Sequence, residues 1–184
     1  QVAATMGMTQ QEIQGGSKEF KKLESAAREM GATTKFSATQ ASEALNYIAL
    51  AGYGADDAVK LLPKTLNLAA AGGLELGYAT DIVTDAMSAL GLEIKDAYSF
   101  IDQMAKTSQK SKTNVGQLGE AILTVGGTAK DLAGGTVELN TALGILANNG
   151  IKGAEGGTKL RNVIMSLTAP TDKAGKAMAA LGIS

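Results

Sequence analysis

Hydrophobic positions recur at three- and four-residue spacing along the chain, and no stretch alternates convincingly with period two. This pattern predicts an all-α fold, a compact body of about eight short helices joined at glycine-rich corners. Met6, Ile13, Phe20, Leu23, Ala27 and Met30 fall at heptad-like steps and predict an N-terminal amphipathic helix within residues 1–31. Its spacing is coiled-coil-like, but a sustained coiled coil needs ~3–4 heptads, so a plain amphipathic helix is the simpler expectation. Gly15-Gly16 interrupts the stripe and Gly31 is expected to stop it. A helical core domain is expected over residues 32–184.

Within that core, Ser37 is placed to cap a helix with Gln40 as its capping-box partner, burying Ala41, Leu45, Ile48 and Ala49 and stopping at Gly52. Asp56 and Asp57 suit the positive start of the next helix, which Pro63 should kink or open. Gly72-Gly73 predicts a corner. A helix carrying Ile82, Val83, Ala86, Met87 and Leu90 should stop at Gly91, and another should open near Asp96 with Asp102 and Lys106 as an i,i+4 pair. The polar run Lys106–Thr113 reads as a loop, and a helix on Leu118, Ala121, Ile122 and Val125 should weaken at Gly126-Gly127. Thr136 is expected to cap a helix on Leu139, Leu143, Leu146 and Ala147, with Gly150 as its left-handed stop. A further helix opens on Gly153, Gly156 and Gly157 and presents Leu160, Val163, Ile164 and Leu167 until Pro170. A last helix from about Thr171 carries Ala174, Ala177, Met178 and Leu181.

Composition narrows the chemistry. Of 184 residues, 45% are hydrophobic but only 4% aromatic, and Trp is absent, so the core must be built from small aliphatic side chains. The formal net charge of −1 gives no field for nucleic acid or an anionic membrane. The lysine clusters Lys18, Lys21, Lys22 and Lys106, Lys110, Lys112 have no interleaved aromatics for base stacking. With no Cys and no His, disulfides, thiolate metal sites and the commonest general base are absent, so no cofactor or metal is expected. No uncharged apolar run approaches the ~20 residues of a membrane span. Gly157-Thr158-Lys159 reverses the order a phosphate loop needs and follows a helix, which argues against nucleotide binding. The pairs Asp81/Asp85 and Asp56/Asp57 lack the aromatic platform that sugar cleavage usually wants. No catalytic residue is assigned. The candidate structural and interaction corner comprises Gly52, Gly150, Gly153, Gly156, Gly157 and Arg161, with Arg161 expected to hold the corner through Glu155 or nearby carbonyls.

Phe36-Ser37-Ala38-Thr39-Gln40-Ala41-Ser42-Glu43-Ala44-Leu45, Ala49-Leu50-Ala51-Gly52 and the stretch Leu143–Arg161 resemble the core region of phage tail tape measure proteins, over roughly Gly31 to Ser184. The resemblance implies a non-enzymatic structural part of a phage or prophage tail, acting in tail assembly, length determination and genome ejection. It implies tail-tube, tail-tip or tail-assembly chaperone proteins as partners, and a place in the virion tail after assembly in the bacterial cytoplasm. Two other readings stay open: a membrane-active or cell-wall-acting module used at genome delivery, and a bacterial helical adaptor. Self-association is left open too. The chain reads as a piece of a longer protein.

Sliding the chain by 98 residues aligns Leu45, Ala49, Gly52 and Leu62 with Leu143, Ala147, Gly150 and Leu160. Met87–Leu92 echoes Met178–Ile183 at a spacing of about 91. Either residues 37–92 and 136–184 are quasi-repeats, or an Ala/Gly/Leu-rich chain is matching itself. A true repeat would leave an exposed apolar edge on the last helix, or a dimer contact covering it.

Overall fold

Alternation at 3.6 residues becomes helix throughout the computed structural model, which describes residues 1–182. The elements are α1 (Val2–Thr5), α2 (Gln10–Gln14), α3 (Lys18–Thr33), α4 (Ala38–Leu50), α5 (Ala55–Gly72), α6 (Leu76–Leu90), α7 (Ile94–Lys110) and α8 (Val115–Val125). A 3-10 helix (Gly126–Asp131), α9 (Gly135–Asn148), α10 (Gly153–Thr168) and α11 (Asp172–Ala180) follow. There is no strand among the described residues. The all-α expectation holds.

The N-terminal stripe is not one helix. Gly7 and Gly16 adopt φ of 78° and 61° and divide it into α1, α2 and α3. Thr9 caps α2 in a full capping box with Glu12. Helix α3 runs through Gly31 instead of stopping there, and a Cβ at Gly31 would lie 2.5 Å from the Ala38 backbone nitrogen. That glycine is required by the close return of the chain into α4. Helix α3 packs on α4 and α5, and Leu23, Ala26 and Ala27 join the common core.

The capping box at Ser37 and Gln40 forms as expected, with the Gln40 N–H donating to Ser37 Oγ at 3.2 Å. Pro63 lies in the middle of α5, not its first turn. It removes the N–H that would bond the Val59 carbonyl. The adjacent Lys60 carbonyl accepts the Tyr98 hydroxyl at 2.8 Å, so α7 supplies a bond at the turn that proline loosens. Asp102 does not pair with Lys106: Lys64 on α5 reaches it at 3.0 Å, tying α5 to α7. Helix α7 continues to Lys110, so most of the run expected as a loop is helical, with Lys110 favourably placed in its last turn. Thr136 does not cap α9. Gly134 occupies the cap position without a capping side chain, and its own N–H donates to Glu138 Oε2 at 2.7 Å from inside the helix.

Helix α8 is the centre of the body. It packs on α5, α6, α7, α9, α10 and the 3-10 helix, and seven of its eleven residues are buried. Gly119 is one of them: its Cβ position lies 2.7 Å from Ile82 Cδ1 of α6. Leu45, Ile48, Leu61, Leu62, Leu66, Ile82, Phe100, Met104, Leu118 and Ile122 are among the largest fully buried side chains of the core. Small side chains let these helices approach closely, and dispersion between closely packed aliphatic groups replaces the large aromatic contacts the composition lacks.

Candidate interaction corner

Helix α9 buries Leu139, Leu143 and Ala147, together with Asn140 and Gly144. Its end is closed by Gly150 at φ +87°, with the Ile151 N–H donating back to the Leu146 carbonyl at 3.0 Å. Only glycine adopts this left-handed stop without a Cβ penalty. Three residues later Gly153, at φ +55°, opens α10.

The buried stripe of α10 is Gly153, Gly156, Gly157, Leu160 and Ile164. These positions keep the three-four rhythm of an amphipathic face, but its first three members have no side chain. The expected face of Leu160, Val163, Ile164 and Leu167 is therefore half right. Val163 and Leu167 are 54% and 56% exposed, because glycine rather than leucine sets which side of α10 meets α8. A Cβ at Gly157 would stand 2.3 Å from the Ala121 carbonyl oxygen and 2.7 Å from Thr124 Cβ. The two helices cross with backbone against backbone at that point. At Gly153 a Cβ would meet Glu120 Oε2 at 2.7 Å, so a carboxylate of α8 sits beside the positive end of α10, whose N-cap residue Lys152 supplies no capping side chain. Gly156 is less crowded, with the Ile151 carbonyl 3.2 Å from its Cβ position.

Arg161 does not hold the corner through Glu155. It is exposed, and Glu155 pairs instead with Lys159 at 3.6 Å, the i,i+4 neighbour on its own helix. Gly52, at φ +93°, ends α4 on a different part of the body, where α4 packs on α1, α3, α5 and α6. The structure thus gathers Gly150, Gly153, Gly156 and Gly157 into one joint and leaves Gly52 and Arg161 outside it. Its α10 side, Gly153, Gly156 and Gly157, is buried packing, whereas Gly150 at the end of α9 is exposed.

The exposed features lie elsewhere, and the sequence analysis missed one of them. Helix α11 is capped by Thr171 and buries none of its residues, so its apolar stripe is the expected exposed edge. Separately, α1 to α4 line a groove of about 660 Å³ whose walls include Phe20, Leu23, Leu45, Tyr47 and Leu50. The signal for it was present in Tyr47 and Leu50, two large residues off the buried face of α4. Among the described residues there is no cluster of three or more His, Cys, Asp or Glu side chains able to hold a metal, and no helix long and apolar enough to cross a membrane.

A model of the phage-related minor tail protein family matches residues 24–184, from within α3 to the end of the chain. The chain belongs to that family. Two curated relatives of this minor tail protein family member carry names that agree with the resemblance seen in Phe36–Leu45 and Leu143–Arg161. The tape measure protein of Pneumococcus phage Dp-1 is 29% identical over 166 residues, which is 90% of this chain and 14% of the relative. The probable tape measure protein of Escherichia phage P2 is 31% identical over 168 residues, 91% of this chain and 20% of the relative. The chain therefore spans a seventh to a fifth of the length of these relatives. No solved structure matches it.

Proposed function

We propose that this minor tail segment is a folded, non-catalytic docking module of a tape measure protein, serving tail assembly, length determination and genome ejection by binding other tail components. The observation that carries the reading is the backbone-to-backbone crossing of α8 and α10 at Gly157, inside a body folded back around α8. A length standard converts residue number into distance at ~1.5 Å per helical residue, which requires an uninterrupted helix. Among the described residues the longest helix has 18 residues. The counting belongs to other parts of the parent protein, and the folded part offers its outer helix faces to tube, tail-tip or chaperone proteins. The virion tail is its place of action.

The test is an in-frame deletion of residues 37–184 from the parent protein, with tails measured by electron microscopy. As one continuous helix that segment would span about 220 Å. A docking module predicts failed or irregular assembly. Regular, functional tails shortened by about 220 Å would show that the segment is part of the ruler.

A further inference from the structure

The lysine cluster at the end of α7 borders a cleft. Lys106 and Lys110 of α7, with Asn140, Thr141 and Asn148 of α9, line a cavity of about 260 Å³ built entirely from residues 106–148. Gly144 sets the approach of the two helices. Its Cβ position lies 2.6 Å from Ser111 Oγ and 3.0 Å from Thr107 Cγ2, and both hydroxyl side chains stand in the cleft wall. The Lys112 N–H donates to Asn148 Oδ1 at 2.9 Å, which ties the chain leaving α7 to the last turn of α9.

No carboxylate lines the cleft, and among the described residues neither lysine forms an ion pair. Asp102, the i−4 neighbour of Lys106, is taken by Lys64. Lys106 and Lys110 are themselves i,i+4 neighbours, and like charges at that spacing repel. An anion between them relieves that repulsion. Asn140 adds a second requirement. It is 2% exposed, and its Nδ2 donates to the Thr136 carbonyl at 2.8 Å. That bond fixes the amide, because the flipped orientation would set two oxygens against each other. Its Oδ1 is buried without a hydrogen-bond partner among the described residues. A buried acceptor left unpaired is costly, so the cleft calls for an N–H or O–H as well as an anion.

We infer that this cleft receives an acidic peptide segment of a partner protein. A carboxylate side chain meets Lys106, Lys110 and the Thr107 and Ser111 hydroxyls, which together match the roughly four lone-pair sites of its two oxygens. The segment's own main-chain N–H enters the cleft and donates to Asn140 Oδ1. A nucleic-acid backbone meets only half of this requirement. A phosphodiester accepts but does not donate, and no aromatic side chain lines the cleft to hold a base. That the partner belongs to the tail rests on the docking reading above, whereas peptide binding is measured on the chain alone, so the two can fail separately.

The test is titration of the isotope-labelled 184-residue chain with an acetylated oligoglutamate peptide, followed by amide chemical shifts, with fluorescence anisotropy of a labelled peptide giving Kd. Shifts should cluster in residues 106–111 and 140–148, and binding should weaken as salt rises. Lys106→Gln and Lys110→Gln should each weaken it about threefold and together about tenfold. Lys173→Gln with Lys176→Gln removes the same charge from α11 and should leave Kd unaltered. Asn140→Leu keeps both lysines and should weaken binding about threefold while the circular dichroism stays that of wild type. No binding at millimolar peptide, shifts outside the cleft, an affinity indifferent to the two cleft lysines, or an Asn140→Leu chain that binds like wild type would overturn the proposal. So would oligothymidylate occupying the cleft as tightly as oligoglutamate.

Discussion

Gly157→Ala probes the α8–α10 crossing with the smallest possible change. The added methyl would lie 2.3 Å from the Ala121 carbonyl oxygen, and neither side of that contact is a rotatable side-chain tip, so one helix must move by about an ångström. Overpacking of this kind costs about 1–3 kcal/mol. Against it, replacing a helical glycine with alanine favours the helix by about 0.5–1 kcal/mol. Because the clash is with backbone and far inside van der Waals contact, the upper part of the first range applies and the net loss is about 1–2 kcal/mol. In a chain of this length each kcal/mol corresponds to about 2–4 °C in Tm. Gly116→Ala is the control: its Cβ would meet Asn114 Oδ1 at 3.4 Å and the Leu74 and Tyr78 side chains at 3.6 Å, all ordinary contacts. It should be neutral or raise Tm. Thermal unfolding followed by circular dichroism reads both. A Gly157→Ala protein that melts at or above the wild-type temperature would mean that α8 and α10 do not touch there, and the reasoning would fail.

Ser37→Ala removes the acceptor of the Gln40 N–H and should cost about 1 kcal/mol, read as a lower urea midpoint with an unchanged slope. Arg161→Ala should leave Tm essentially unaltered, within about 0.5 kcal/mol, because the side chain is exposed and Glu155 is held by Lys159. Acid should destabilise modestly. The Thr9 backbone N–H and hydroxyl hold Glu12 below the usual carboxylate range, and Lys22 and Lys95 do the same for Asp56 and Glu93, by hydrogen bond first and charge second. Their folded values are depressed, so this stability is present above about pH 4 and lost as pH falls through the folded values. Tm measured against pH should be flat near neutrality and decline below that point; a rise in acid would contradict it. Burial should delay ionisation of Tyr53 and Tyr78 above the ordinary phenol range, seen as late components in an ultraviolet titration.

Local signals in the sequence translated well where their partners are local. Ser37 with Gln40, and the left-handed glycines at 91 and 150, lie within a few residues of the groups they satisfy, and they end helices where the spacing predicts. Signals whose partners are distant did not. Asp102 has a suitable lysine four residues away, yet Lys64, 38 residues back, takes it, because the packing of α5 on α7 is a tertiary fact. Gly31 looks like a stop but is a point of close approach, and only the return of Ala38 distinguishes the two. The heptad-like stripe near the N-terminus treats Gly7 as a neutral position, although its positive φ breaks the helix. At the candidate corner the glycines were visible, but hydropathy counts a glycine as nothing. Hydropathy alone therefore places the buried face of α10 on Val163 and Leu167, whereas Gly153, Gly156 and Gly157 are the residues buried.

The claim on which the account rests is that this segment folds back on itself instead of extending. Small-angle scattering from the chain at low concentration measures that directly. A folded body of this length predicts a radius of gyration of about 16 Å, slightly enlarged by the projecting α11. A continuous helical rod of the same residues would give about 80 Å at 1.5 Å rise per residue, and a value near that figure would contradict the account.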